Sequence, residues 1–254
     1  MVNFVDIDIT FGLMFGENMM KLYRFCLILV LTLSLNNLTH SAEKLVFSGI
    51  KGAVNSVISM RVLKEAYAKL GIDIEMLELP GERALRTSNS GEVDGEVFRI
   101  ANVQKKYKNL IPVPTSINLL QGIVFVNDKS FKVDGWKSLK PYKIGTQIGI
   151  KFVERGTKGM NRTMVQSNDQ LFKMLSANRI DIAVVAHTNG LKTLKKTGIK
   201  GIKALNPAVQ TYPLYHYLHK KNAQLVPKLD EVLKKMQQLG RIDEIRKLVI
   251  NEFN

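Results

Sequence analysis

The chain has one cysteine, four histidines and one tryptophan in 254 residues. Cys26 sits at the head of the apolar run "FCLILVLTLSL" (25–35), and no cysteine follows it. Beyond that run there is no disulfide, thiol nucleophile or cysteine-based zinc site, so stability must come from an ordinary apolar core. Cys26 follows Arg24 and Phe25, not the small residue that precedes a lipid-bearing cysteine, which argues against a lipid anchor. His216 and His219 fall on opposite faces of a strand, and no nearby Cys, Asp or Glu completes a ligand set, so no metal is expected. Gly-x-Ser-x-Gly, His-Glu-x-x-His and the phosphate loop are also missing, so the sequence points away from an enzyme and implies no cofactor. Acids are scarce: 22 against 37 Lys and Arg, for a formal charge of +15. Basic runs such as "LKTLKK" read as solvated helix faces, and no aromatics interleave with them as in single-strand nucleic-acid binders, so nucleic acid is not an expected partner. The overall field favours anionic solutes.

The amino-terminal region has the layout of a secretory signal. Met19-Met20 precedes Lys21 and Arg24, then comes the apolar run, then "NNLTHSAEK". Eleven apolar-run residues (25–35) are too few to span a bilayer, which takes about 20. Residues 1–18 read as an upstream mis-start and 19–42 as the signal, with cleavage after Ser41 or Ala42. Loss of residues 1–41 removes Lys21 and Arg24 against Asp6, Asp8 and Glu17, moving the charge from +15 to +16.

From Lys44 onward, short β-rich runs alternate with helical periodicity, the mark of an α/β fold with parallel strands. "KLVFSGI" (44–50) reads as a strand. Val54, Ile58, Val62, Ala66 and Leu70 form a helical stripe that Gly71 closes, and "IDIEMLEL" (72–79) is a second strand stopped by Pro80. A helix over 82–88 leads to Gly91, and "VDGEVF" returns as a strand. The second half repeats the plan. "KIGTQIG" (143–149) runs into a helix, "TMVQ" is a short strand, Ser167 and Gln170 form a capping box, and "IDIAVV" is the next strand. Gly91-Glu92-Val93-Asp94 matches Asn178-Arg179-Ile180-Asp181 at the same helix-to-strand junction, which suggests two lobes of related build. Asp94 and Asp181 read as structural, stabilising the turn into each strand. "LLQGIVFVND" (119–128) and "TYPLYHYLHK" (211–220) are candidate strands crossing between lobes, followed by two amphipathic helices separated by Gly240.

The signal, "GEVDG" followed by Arg99, "WKSLKPYKIG" (136–145), "SNDQLFKML" followed by "NRID", and "YLHKK" (217–221) occur in an order that resembles the bacterial extracellular solute-binding proteins of family 3, over about Lys44 to Phe253. The resemblance implies a two-lobed, type II periplasmic-binding-protein fold with two hinge strands. Lobe one would hold 43–124 plus 215–254, and lobe two 125–214. It also implies a monomer in the periplasm that closes on a small-molecule solute. Its partner would be an inner-membrane ABC permease or a sensor receptor; a cyclohexadienyl-dehydratase-like enzyme is the remoter alternative, with Glu82 or Glu154 as its acid.

In that family an arginine after the lobe-one aspartate strand grips a ligand carboxylate, and Arg99 stands there, with Ser48, Lys51, Glu82 and Arg83 beside it at strand ends. The Gly-Thr-Thr of lobe two is replaced by Gly149-Ile150-Lys151, which keeps backbone amides and adds a charge. The acid that receives a ligand ammonium is replaced by Ala186 or His187. A polar or anionic solute without an obligatory ammonium group is therefore expected.

Amino-terminal sequencing of the exported protein should return a chain starting at Ala42 or Glu43. A start before residue 36 overturns the signal assignment.

Overall fold

The computed structural model describes residues 44–252. The signal segment, its cleavage site and Phe253 lie outside the described residues. No described helix is long and apolar enough to cross a membrane.

Eight strands form one sheet in the order β2-β1-β3-β8-β4-β7-β5-β6. In chain order they are β1 Leu45–Ile50, β2 Ile74–Leu79, β3 Gly95–Ile100, β4 Leu110–Val126, β5 Ile144–Gln147, β6 Arg162–Val165, β7 Ile182–Ala186 and β8 Lys203–His219. The helices are α1 Val54–Ala68, α2 Gly81–Ser90, α3 Lys151–Gly156, α4 Asn168–Ser176, α5 His187–Thr197, α6 Val226–Gln238 and α7 Arg241–Asn251. β1 pairs parallel with β2 and β3, and β5 pairs parallel with β6 and β7. Between these parallel sets run β4 and β8, antiparallel to each other from Leu110↔His219 to Val126↔Lys203. β3 joins the β8 side and β7 the β4 side, both antiparallel. The result is the two-lobed α/β architecture expected from the sequence, with two strands shared between lobes.

Those shared strands are longer than their sequence pattern suggests, at 17 residues each. Pro112, Pro114, Pro207 and Pro213 interrupt the apolar runs, and the β4–β8 ladder absorbs irregularities as register shifts. Alternation still sets the packing. Val124 and Val126 of β4 face one apolar cluster with Leu139, Ile144 and Val184, whereas Ile123 and Phe125 face another with Leu171 and Phe172. Burial on both faces explains why "GIVFV" reads as a continuous apolar run. In the other lobe Phe47, Leu63, Tyr67 and Val97 pack with Leu229 and Leu233 of α6 and with Ile242 and Ile245 of α7. The α1 stripe of Val54, Ile58, Val62 and Ala66 is buried along its length. Gly71, at φ 71°, lies just past the helix end.

The repeated junction has one geometry in both lobes. Gly91 (φ 88°) and Asn178 (φ 54°) take the left-handed conformation, and Val93 and Ile180 are buried. Asp94 then accepts the Val46 N–H at 2.8 Å, and Asp181 accepts the Lys143 N–H at 2.7 Å. Each aspartate also donates its own N–H back, to Val46 O at 2.7 Å and Lys143 O at 2.9 Å. The aspartates thus register the start of one parallel strand against its neighbour. Asp94 is reinforced by Lys221 at 3.0 Å and Asn222 at 3.1 Å, and its side chain is 15% exposed against 37% for Asp181. Next to Asp94, Gly95 is required by contact: a Cβ there would lie 2.1 Å from Tyr217 O.

Asp94→Ala should cost about 1–3 kcal/mol of unfolding free energy, and Asp181→Ala less, because the first leaves more buried donors unpaired. Chemical denaturation of both variants measures the difference; equal costs would remove the special role of the Asp94 cluster.

Candidate functional site

A cavity of about 320 Å³ lies between the lobes. It sits at the carboxyl ends of β1, β3, β5 and β7, where open α/β sheets bind ligands. Its lobe-one wall is Ile50, Phe98 and Ile100; its opposite wall is Ile150, Phe152 and Tyr212, with Leu120 from the shared strand β4. Neutral amides stand among them: Asn55, Gln147, Asn168 and Asn189. The charged lining residues are Lys151 and Arg155. Local sequence explains the wall. Alternation along β3 sends Phe98 and Ile100 to one side, and in α3 Phe152 follows the turn at Gly149. Phe152 is held edge-on to Tyr212 at 5.8 Å and against Trp136 at 6.3 Å. Trp136 donates to Gln210 Oε1 at 2.5 Å and lies over Gly156, where a Cβ would come within 2.2 Å of the indole.

A second cavity of about 360 Å³ adjoins the first. The two share Ile50, Ala53, Gln147, Asn168 and Asn189. Its other walls carry Lys51, Lys192 and Lys196 against one acid, Asp169, which Lys196 holds at 2.6 Å. Lys192 Nζ donates across the cleft to Gly52 O at 2.8 Å, and Lys195 Nζ donates to Glu252 O at 2.6 Å, so α5 is tied to the other lobe by two lysines. Asn168 Oδ1 is buried without a hydrogen-bond partner among the described residues.

The residues expected from sequence divide into three groups. Gly149, Ile150 and Lys151 line the first cavity, and Lys51 the second. The Gly149 N–H, however, is taken at 2.8 Å by Glu154, which also holds Lys151 at 2.8 Å. These bonds and the flanking cations keep the Glu154 carboxyl below its usual range, the Lys151 bond contributing most.

Ser48 and Arg99 belong to an internal network. Glu96 is fully buried and accepts Ser48 Oγ at 2.5 Å, Ser88 Oγ at 2.9 Å and Arg99 Nε at 2.8 Å, while Arg99 Nη2 donates to Gly81 O at 2.6 Å. Residues 96 and 99 would face opposite sides of a regular strand. The β3–β8 register shifts between them, and that irregularity lets the ion pair form. Arg99 therefore neutralises a buried carboxylate in this structure and is not in either cavity wall.

Glu82 and Arg83 are exposed outside both cavities; Glu82 accepts Tyr107 Oη at 2.7 Å and Lys106 Nζ at 3.0 Å. His187 opens α5 with Nδ1 buried and unpartnered among the described residues. Burial, then the nearby Arg246 charge, lowers its pKa. It lines neither cavity.

Phe98, Phe152 and Tyr212 were not singled out from the sequence as wall residues, because an apolar side chain at a cleft wall carries no signal that separates it from one in a core. Arg155 carried a signal, four residues after Lys151 and so on the same helix face.

No protein-family model matches the chain. An uncharacterized protein of Shewanella oneidensis is 29% identical over 193 residues, 73% of each chain. Among solved structures, a histidine kinase sensor domain with similarity to periplasmic binding proteins superposes with a TM-score of 0.60 at 16% identity, covering 81% of this chain and 95% of that one. The chain has the type II periplasmic-binding-protein fold. An amino acid ABC transporter substrate-binding protein from Streptococcus pneumoniae, bound to L-arginine, gives 0.60 at 15% identity, over 83% and 95%.

Next to the Glu96 network, His216 is fully buried, with Nδ1 2.9 Å from Glu96 O and Nε2 3.0 Å from Tyr67 Oη. A carbonyl only accepts, so Nδ1 carries the proton and Nε2 accepts from the tyrosine. Burial depresses the His216 pKa to about 4, against the Val97 and Glu96 carbonyls, which accept from Nδ1 and favour its charged form. The folded protein therefore binds this proton less readily than the unfolded chain does, and stability falls as pH drops from about 6.5 towards about 4. Burial raises the Glu96 pKa, countered first by Arg99, so Glu96 acts in the opposite sense at the acid end. Comparing His216→Gln with the parent isolates the histidine: the parent should lose about 3 kcal/mol more than the variant across that window. Identical pH profiles in denaturant titrations would contradict it.

Proposed function

We propose that this protein captures a small polar or anionic solute in the cleft between its lobes, in the periplasm, and delivers it to an ABC-type permease. Residues 43–124 with 215–254 and residues 125–214 would form the two bodies that close by hinge motion. The observation that carries the reading is a cavity at the strand carboxyl ends, between two lobes joined by β4 and β8, whose walls hold cations and no unpaired carboxylate. Such a lining disfavours a ligand ammonium, because transfer of a charged group from water needs a fixed counter-charge. The arginine-bound Streptococcus pneumoniae protein shares the fold, but a cationic ligand would meet Lys151 and Arg155 here. Neither Glu82 nor Glu154 stands in the cavity wall, which favours binding over the dehydratase-like reading. Similarity to a sensor domain supports solute sensing as a second route for the same capture step.

Native mass spectrometry of protein purified without refolding should reveal a retained small acid. Thermal-shift screening should find anions that raise the melting temperature, since ligand at about 100 times Kd adds about 2.7 kcal/mol. A screen in which cationic amino acids alone stabilise the protein overturns the anion preference.

A further inference from the structure

We infer that the solute is a carboxylate with an apolar or aromatic body, bound across both cavities; this rests on the solute-binding reading above. The chemistry of the walls changes along the cleft. In the first chamber Phe98, Ile100, Ile150, Phe152 and Tyr212 converge from both lobes on about 320 Å³, the lower end of the range for small-molecule sites. The chamber also carries Lys151, already paired with Glu154, and Arg155 at its lobe-two side. The rest of its lining is apolar or neutral amide, so a strongly hydrated body would lose more than it regains there, whereas an aliphatic or aromatic body would gain by leaving water.

The second chamber has the opposite character. Lys51, Lys192 and Lys196 face it with one aspartate, and Lys196 already neutralises that aspartate. Lys192 uses one of its three N–H groups on Gly52 O, leaving donors for a ligand. Lys51 is exposed and enters no ion pair among the described residues. The two chambers share five wall residues, so one molecule can occupy both, with its body in the first and its carboxylate among the lysines.

Calorimetric titration of the exported protein tests this with butanoate, hexanoate, 3-phenylpropanoate, hexanol, succinate and arginine. Affinity should rise about fourfold for each methylene added from butanoate to hexanoate. Phenylpropanoate should exceed butanoate, and hexanol should bind at least about tenfold more weakly than hexanoate. Lys51→Gln, at an exposed position that leaves folding unaffected, should weaken hexanoate by about tenfold and leave hexanol unchanged. Ile100→Asn should weaken hexanoate and phenylpropanoate together, with an unchanged circular-dichroism spectrum confirming that it folds. Binding of succinate or arginine with no gain from a longer apolar body overturns the inference and leaves the solute-binding reading standing. Equal affinity for hexanol and hexanoate also overturns it. If none of the six binds, the inference fails, while the solute-binding reading is decided separately by whether the native mass spectrum shows a retained solute.

Discussion

The structure of the cleft depends on the burial of Glu96. A carboxylate removed from water costs several kcal/mol unless it is paired and hydrogen-bonded. Here Arg99 and two serine hydroxyls offset part of that cost. Because Arg99 must turn inward to do so, the position from which it would grip a ligand carboxylate is left without it. The lobe-one wall then consists of the alternate β3 residues Phe98 and Ile100. A single buried acid thus accounts for an apolar lobe-one wall in a cleft that keeps the fold of amino-acid binders.

The pairing of β4 with β8 places that surface. Each strand serves both lobes, and the residues between the β3-paired and β7-paired stretches, Leu120 and Tyr212 among them, form the floor where the lobes meet. Parallel strands on either side point their carboxyl ends at this floor, so loops from both lobes converge there. The lysines of α5 then reach backbone carbonyls at Gly52 and Glu252 on the other lobe.

Much of this architecture was legible in the sequence because it follows from local rules. The α1 stripe, the left-handed Gly91 and Asn178, the strand-registering Asp94 and Asp181, and the Ser167 cap, which accepts the Gln170 N–H at 3.2 Å, all depend on residues close in sequence. The full length of β4 and β8 was not legible, since prolines broke their pattern and only pairing across the sheet restores it. Arg99 was misplaced for a related reason: its partner is three residues away, and a regular strand would separate them. Phe152 and Tyr212 gave no sign of facing a cavity, because an apolar side chain at a cleft wall and one in a core have the same sequence signature.

Trp136, the sole indole in the chain, is locked between Gln210, Gly156 and Phe152 in lobe two. Its emission therefore reports one lobe alone, while circular dichroism averages over both. Whether the lobes melt as one cooperative unit or in sequence thus becomes visible without labels, as coincidence or separation of the two transitions.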